Sequence, residues 1–143
     1  NIAYWLQDQW LAAGPSASGH ALGGRSMLAG SHRWKNVPRL GDYLASAPGP
    51  SPIIDHEAPD PVRLIRERVM MGLRLAKGLD GCGLLRDVDR LSPESGARLR
   101  AEVARQIGSG TLQAEAQSGC WKLTDAGFLL CDAIAAELMA CVE

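Results

Sequence analysis

No two of the four cysteines, Cys82, Cys120, Cys131 and Cys141, stand two or three residues apart. That absence removes the compact thiolate spacings of iron–sulfur and zinc sites from this chain. Reduced, buried thiols are the expectation, since 143 residues are enough for a core without disulfide staples. No apolar run approaches 18 residues, so no segment is predicted to cross a membrane. Net charge is nearly absent at -1, which argues against a general binder of polyanions. Aromatic residues are scarce as well: one Phe, two Tyr and four Trp. Three of the tryptophans, Trp5, Trp10 and Trp34, fall within the first 35 residues, so the two ends of the chain differ in character.

What is present fits one ordinary domain or two very small ones, with 46% apolar and 22% charged residues, the composition of a soluble globular protein. Charge is unevenly spread. Residues 60–105 carry ten Arg/Lys against seven Asp/Glu, a net of +3, and residues 106–143 carry Lys122 against five acids, a net of -4. Solvated helix faces account for such a distribution. The chain opens on Asn1-Ile2-Ala3-Tyr4-Trp5 with no lead-in, which reads as the start of a piece of a larger protein.

The first 35 residues are glycine-rich and read as short strands and loops. Trp10-Leu11-Ala12-Ala13 is predicted to be a buried strand running into a Gly14-Pro15 turn, and Gly23-Gly24 a hairpin turn between Ala21-Leu22 and Arg25-Ser26-Met27. Residues 38–46 suit a short helix with Leu40, Tyr43 and Leu44 on one face. Ala47 to Pro61 holds five prolines, and residues 47–59 read as a linker.

Beyond it the pattern is helical. Asp60 and Pro61 form a cap-plus-proline start, and Val62, Ile65, Val69, Leu73 and Ala76 recur at helical spacing up to a stop at Lys77-Gly78. Leu84-Leu85 with Val88 suggests a second helix. Ser92-Pro93 opens a third, carrying Leu99, Val103 and Ile107 and ending at Gly108 and Gly110. Thr111–Ala116 and Cys120–Leu123 are extended segments around Gln117-Ser118-Gly119, a small β-wing. Thr124 caps a last helix carrying Leu130, Ile134 and Leu138. Three helices, a two-stranded wing and a helix make the winged-helix plan, which by itself says nothing of DNA binding. Its recognition helix, 93–107, carries Arg98, Arg100 and Arg105 beside Glu94 and Glu102, less positive than a dedicated DNA reader.

Four segments carry a family resemblance: Asn1-Ile2-Ala3-Tyr4-Trp5; Ala13-Gly14-Pro15-Ser16-Ala17-Ser18; Glu67-Arg68-Val69-Met70-Met71-Gly72-Leu73-Arg74-Leu75 with Gly78; and Leu123-Thr124-Asp125-Ala126-Gly127. In this order and spacing they resemble the C-terminal part of the oxygen-independent coproporphyrinogen III oxidase family of radical SAM proteins. The likeness is nearest to its HemW branch of oxidase-like haem chaperones. The chain departs from that pattern where Ala12 or Ala13 stands for the first glycine of the loop, and where His20 follows Ser18-Gly19 in place of a nearer His. The His that precedes the first motif and the three-cysteine cluster motif lie outside this sequence.

The resemblance implies an α+β class, with residues 1–46 as terminal strands of a radical SAM barrel and residues 60–143 as a helical, winged-helix-like C-terminal domain. It implies an accessory or cap segment, inert and cofactor-free alone. The cytoplasmic parent would use S-adenosylmethionine, a [4Fe-4S] cluster and haem. Partners would be the N-terminal barrel of the same chain, a tetrapyrrole and a haem-acceptor protein. Asn1, Tyr4 and Trp5 would flank the tetrapyrrole, or else pack as ordinary core. Gly14, Pro15, Ser16 and Ala17 would let S-adenosylmethionine approach the backbone, or else form a plain turn. Neither catalytic nor metal-binding residues are expected here. His20, His32 and His56 are imidazoles of the kind that ligate haem iron, His20 foremost, against the plainer reading of surface or loop histidines. Met70-Met71 suits adaptable packing. Arg68 and Arg74 suit a propionate or a surface ion pair. A true coproporphyrinogen III oxidase, decarboxylating propionates, is the neighbouring alternative, and a winged-helix nucleic-acid binder the distant one.

Overall fold

The computed structural model describes residues 2–46 and 53–143; Asn1 and the first part of the proline-rich stretch, 47–52, lie outside them. The fold is α+β, with small antiparallel sheets and several helices. It divides into two compact units, one of Gln7–Pro61 and one of Val62–Glu143 together with the N-terminal residues up to Leu6. Among the described residues neither sheet closes into a barrel. The chain begins with a single helical turn, α1 (Ile2–Trp5).

In the Gln7–Pro61 unit, β1 (Ser18–Leu22), β2 (Ser31–Asn36) and β3 (Ile53–Glu57) form an antiparallel sheet in the order β1-β2-β3. The hairpin expected at Gly23-Gly24 exists, but its return strand starts at Ser31, after a 3-10 turn at Met27–Ala29. Gly30 explains the longer path. Its φ of 66° favours glycine, and a Cβ there would stand 2.6 Å from the Asp60 nitrogen.

Two expectations fail in this unit. Trp10–Ala13 is not a buried strand: Trp10 makes one isolated bridge to His20, and Leu11 is 85% exposed. The carbonyls of Ala12 and Gly14 instead accept from the Asn36 side chain, at 3.4 and 3.0 Å. The second failure is inside the expected linker, where residues 53–57 are a strand. β3 pairs with β2 through Arg33↔Glu57 and Trp34↔His56, although all five of its residues are exposed. Between these, α2 (Leu40–Ala45) forms as expected, but Leu40 and Leu44 face solvent.

The Val62–Glu143 unit is built on caps and one core. α3 (Pro61–Gly72) starts at the proline and buries Leu64, Ile65 and Val69. It stops at Gly72, earlier than the periodicity suggests. Arg74 and Leu75 then close i−3 turns on Met71 and Gly72, and the side chain of Leu79 packs where a Gly72 Cβ would go. β4 (Leu79–Asp80) follows, a two-residue strand with no local signal. α4 (Gly81–Leu91) is capped by the Asp80 carboxylate, which accepts from the Gly83 N–H at 2.8 Å. α5 (Pro93–Gly108) is capped by Ser92, whose hydroxyl accepts from the Ser95 N–H at 3.2 Å.

β5 (Leu112–Ala114) and β6 (Cys120–Leu123) form the expected hairpin, and β6 also pairs with β4, giving the order β4-β6-β5. Thr124 caps α6 (Asp125–Phe128) by accepting from the Gly127 N–H at 3.1 Å. The single last helix is broken here. Leu130 leaves helical geometry and is exposed, and α7 (Cys131–Ala140) starts afresh. Ile65, Val69, Leu84, Val88, Leu99, Val103, Trp121, Ile134 and Leu138 meet in one buried cluster. Burial of each aliphatic side chain contributes about 1.5–3 kcal/mol before entropy is counted. Gln106, 3% exposed, is the buried polar node: its amide donates to Glu102 and Glu137 and accepts from the Thr111 hydroxyl at 2.6 Å.

Candidate functional site

A cleft of the Val62–Glu143 unit forms where α3 ends. The i−3 turns after Gly72 carry the backbone around to β4, and Gly78 makes the reversal. Its φ is 78°, and a Cβ on it would meet the Trp121 carbonyl oxygen at 2.4 Å, so only glycine fits. The resulting concavity, about 330 Å³, is lined by Trp5 and Leu6, by Arg68, Leu75, Lys77 and Leu79, and by Asp80, Ser118 and Cys120. That volume lies at the small end of ligand-binding pockets.

The walls are mixed in character. Leu75 and Leu79 are apolar, Trp5 presents an indole that is 39% exposed, and Arg68 and Lys77 bring two cations. The anions are already committed: Asp80 caps α4, and at the cleft's edge Ser118 donates to Glu115 at 2.7 Å. Glu115 is held below the ordinary carboxylate range by hydrogen bonds from Lys122, at 2.5 Å, and then from Ser118. Burial pushes the Cys120 thiol up, with Lys122 opposing weakly, and the thiol donates to the Lys77 carbonyl at 2.9 Å. Both features favour the neutral thiol at Cys120. Arg74 does not face this cleft; it bonds the Met70 carbonyl and pairs with Asp132.

The residues expected to form the site are distributed as follows. Asn1 lies outside the described residues. Tyr4 and Trp5 sit on α1, half-exposed, and Trp5 lines the cleft. Gly14, Pro15, Ser16, Ala17 and His20 belong to the Gln7–Pro61 unit. Gly14 has a φ of 97° and Ser16 of 60°, so the loop is a tight, partly strained turn. Several of its polar backbone groups are occupied. The Gly14 N–H donates to the Tyr43 hydroxyl at 3.1 Å, the Ser16 N–H to the Val37 carbonyl at 3.1 Å, and the Ala17 carbonyl accepts from the Asn36 N–H at 2.9 Å.

His20 is 1% exposed, its ring 4.6 Å from that of Trp10 and its Nδ1 3.0 Å from the Asp8 carbonyl oxygen. Its Nε2 is buried without a hydrogen-bond partner. His32 and His56, by contrast, come together across β2 and β3, with Nδ1 and Nε2 3.1 Å apart. Twenty-four positions separate them in the chain, and only the strand register joins them. The cleft had two sequence signals, the opening segment ending in Trp5 and the Leu-Arg-Leu-x-x-Gly run ending at Gly78; the contributions of β4, Ser118 and Cys120 had none. All four cysteines are free thiols. Among the described residues no group of three or more His, Cys, Asp or Glu is placed to hold a metal ion, and no helix is long and apolar enough to cross a membrane. Compared with family models, curated proteins and solved structures, the chain matches none.

Proposed function

We propose that this chain is the C-terminal accessory segment of a HemW-type radical SAM protein and takes part in binding or delivering a tetrapyrrole. One observation carries the reading. Two of the four motif segments, the one ending in Trp5 and the one running from Arg68 through Gly72 and Leu75 to Gly78, line the same cleft. The chemistry there suits a flat, apolar ring bearing carboxylates. An exposed indole stacks on such a ring, Leu75 offers it an apolar wall, and Arg68 and Lys77 pair with its acidic side chains.

We read the Val62–Glu143 unit as a winged-helix-like cap. Its support is the order α3, β4, α4, α5, β5, β6 with β6 lying between β4 and β5. In the same reading β1 and β2 belong to the end of the parent's barrel, and cluster and S-adenosylmethionine chemistry belong to the rest of that parent. Duplex DNA as a partner draws no support from α5. Its arginines are engaged: Arg98 with Glu94 and Glu143, Arg100 with Asp89, and Arg105 with Glu102 and Glu137.

Titration of the chain with haem, followed at the Soret band under reducing conditions, tests the reading. The resemblance implies a segment that is cofactor-free alone, but the cleft is built entirely from this chain's own residues, so saturable binding is expected, weakened at least tenfold in Trp5→Ala and in Arg68→Ala. Absence of a saturable change, or binding that both variants leave intact, would overturn it.

A further inference from the structure

We propose that His32 and His56 form a proton-operated latch, which holds the edge strand β3 on β2 at neutral pH and releases it in mild acid. Trp34 stands opposite His56 in the β2–β3 register, and His32 lies two residues before Trp34 on the same strand face. The two histidines are therefore diagonal cross-strand neighbours. Their ring planes are 20° apart and their centres 5.4 Å apart, with His32 Nδ1 3.1 Å from His56 Nε2. Little more than the two ring radii makes up the rest of the distance between centres, so the facing nitrogens meet head-on. That is the geometry of one N–H···N hydrogen bond.

Such a bond counts protons. Only one hydrogen fits between the facing nitrogens, so one imidazole donates and the other accepts. A first added proton goes to the donor ring's outer nitrogen and leaves the bond in place, now charge-assisted. A second must go to the accepting nitrogen. It removes the lone pair that made the bond and sets two cationic rings against each other. The pair therefore titrates in two steps, and only the second opens it.

The surroundings leave this bond in control. β3 is an edge strand whose five residues are all exposed, so apolar burial contributes little to holding it. On the histidine face the sheet neighbours are Ala21, opposite His32 on β1, and Trp34, neither of them charged. Asp55 and Glu57 alternate to the other face, opposite Lys35 and Arg33, and His20 lies on that face too, opposite Arg33. The acid on the chain leaving β3 is Asp60, whose backbone passes Gly30, two residues before His32. A carboxylate on that side acts on both steps alike and does not change their order.

Separated strands let each imidazole take its own proton, whereas the joined pair resists the second. The open form binds more protons, so acid favours it. The latch holds above the range of about pH 5–8 in which histidine titrates, and is lost as pH falls through it. Opening uncovers the backbone edge of β2, a row of N–H and C=O groups able to take another strand. The latch uses none of the cleft residues and stands independently of the tetrapyrrole reading.

Hydrogen exchange of the full chain between about pH 8 and pH 5, read by NMR as protection relative to the unfolded chain, is the test. Protection of the amides joining β2 and β3 is expected to fall at least tenfold across that range, while those joining β1 and β2 hold. The His32 and His56 ring resonances should move in two separated steps, with the loss of protection tracking the lower one. In His56→Gln, whose side chain stays uncharged, the pH dependence should vanish. His56 is exposed, so this variant keeps the test alive if His32→Gln fails to fold. Protection of β3 that ignores pH, β1 opening in step with β3, one shared titration step, or an undiminished fall in His56→Gln would overturn the proposal.

Discussion

The indole of Trp121 lies directly over Gly81, so close that a Cβ on Gly81 would come within 2.2 Å of its Nε1. Gly81 opens α4, and Trp121 is nearly buried on β6, so neither can withdraw cheaply. Gly81→Ala should destabilise the protein by about 1–3 kcal/mol, the usual cost of forcing atoms into a packed core. Urea unfolding followed by circular dichroism measures it. An unchanged midpoint would mean the ring has room the packing denies.

Leu99 and Leu129 make a matched pair for testing where the core ends. Leu99 is 0% exposed and belongs to the central cluster, whereas Leu129 is 85% exposed at the joint of α6 and α7. Leu99→Ala should cost about 2–5 kcal/mol and Leu129→Ala less than about 0.5 kcal/mol. Equal effects in the same unfolding assay would contradict the placement of the core.

Each of the caps at Ser92 and Thr124 satisfies a helix-terminal N–H that water would otherwise have to reach. Ser92→Ala and Thr124→Ala should each lose about 1 kcal/mol. Thr124 should lose the more, because its hydroxyl also donates to the Gly110 carbonyl at 2.7 Å. Gly in place of Ala at either position should recover part of the loss, a comparison readable in melting temperature.

Acid sensitivity should pass through Glu102. Its carboxyl is held below the ordinary range first by the hydrogen bond from Arg105 and also by that from Gln106, with burial opposing. A carboxylate depressed in the folded state binds fewer protons there than in the unfolded chain. Its stabilisation is therefore fully present above the ordinary glutamate value of about 4.3 and fades as pH falls through the folded value. Glu102→Gln should be less stable than the parent near neutrality, and the gap should narrow on acidification. Parallel melting curves across that range would remove Glu102 from the acid limb.

The legible parts of the fold were those fixed by neighbours in sequence. Ser92-Pro93 and the closing glycines bounded α5, and Gln117-Ser118-Gly119 marked the β5–β6 hairpin. The parts that sequence did not show depend on distant partners. β4 is two residues long and exists because Cys120 and Trp121 pair with it. β3 hides in a proline-rich stretch because its prolines fall outside residues 53–57 and its side chains show no apolar alternation. α3 ends early because Leu79 occupies the space beside Gly72, a contact no periodicity encodes. The same holds for the candidate sites. Trp5 and the helix motif were both marked, but their shared cleft was not, and the pairing of His32 with His56 needed the strand register.

Gln106 joins three pieces of chain with one side chain: Glu102 in its own helix, Glu137 on α7, and Thr111 at the entry to β5. Opening any one of them strands a buried amide, at a cost comparable to a lost hydrogen bond or more. The last turn of α5, the Thr111 turn and α7 therefore open as a unit, and their amide protons should exchange with solvent at a common rate.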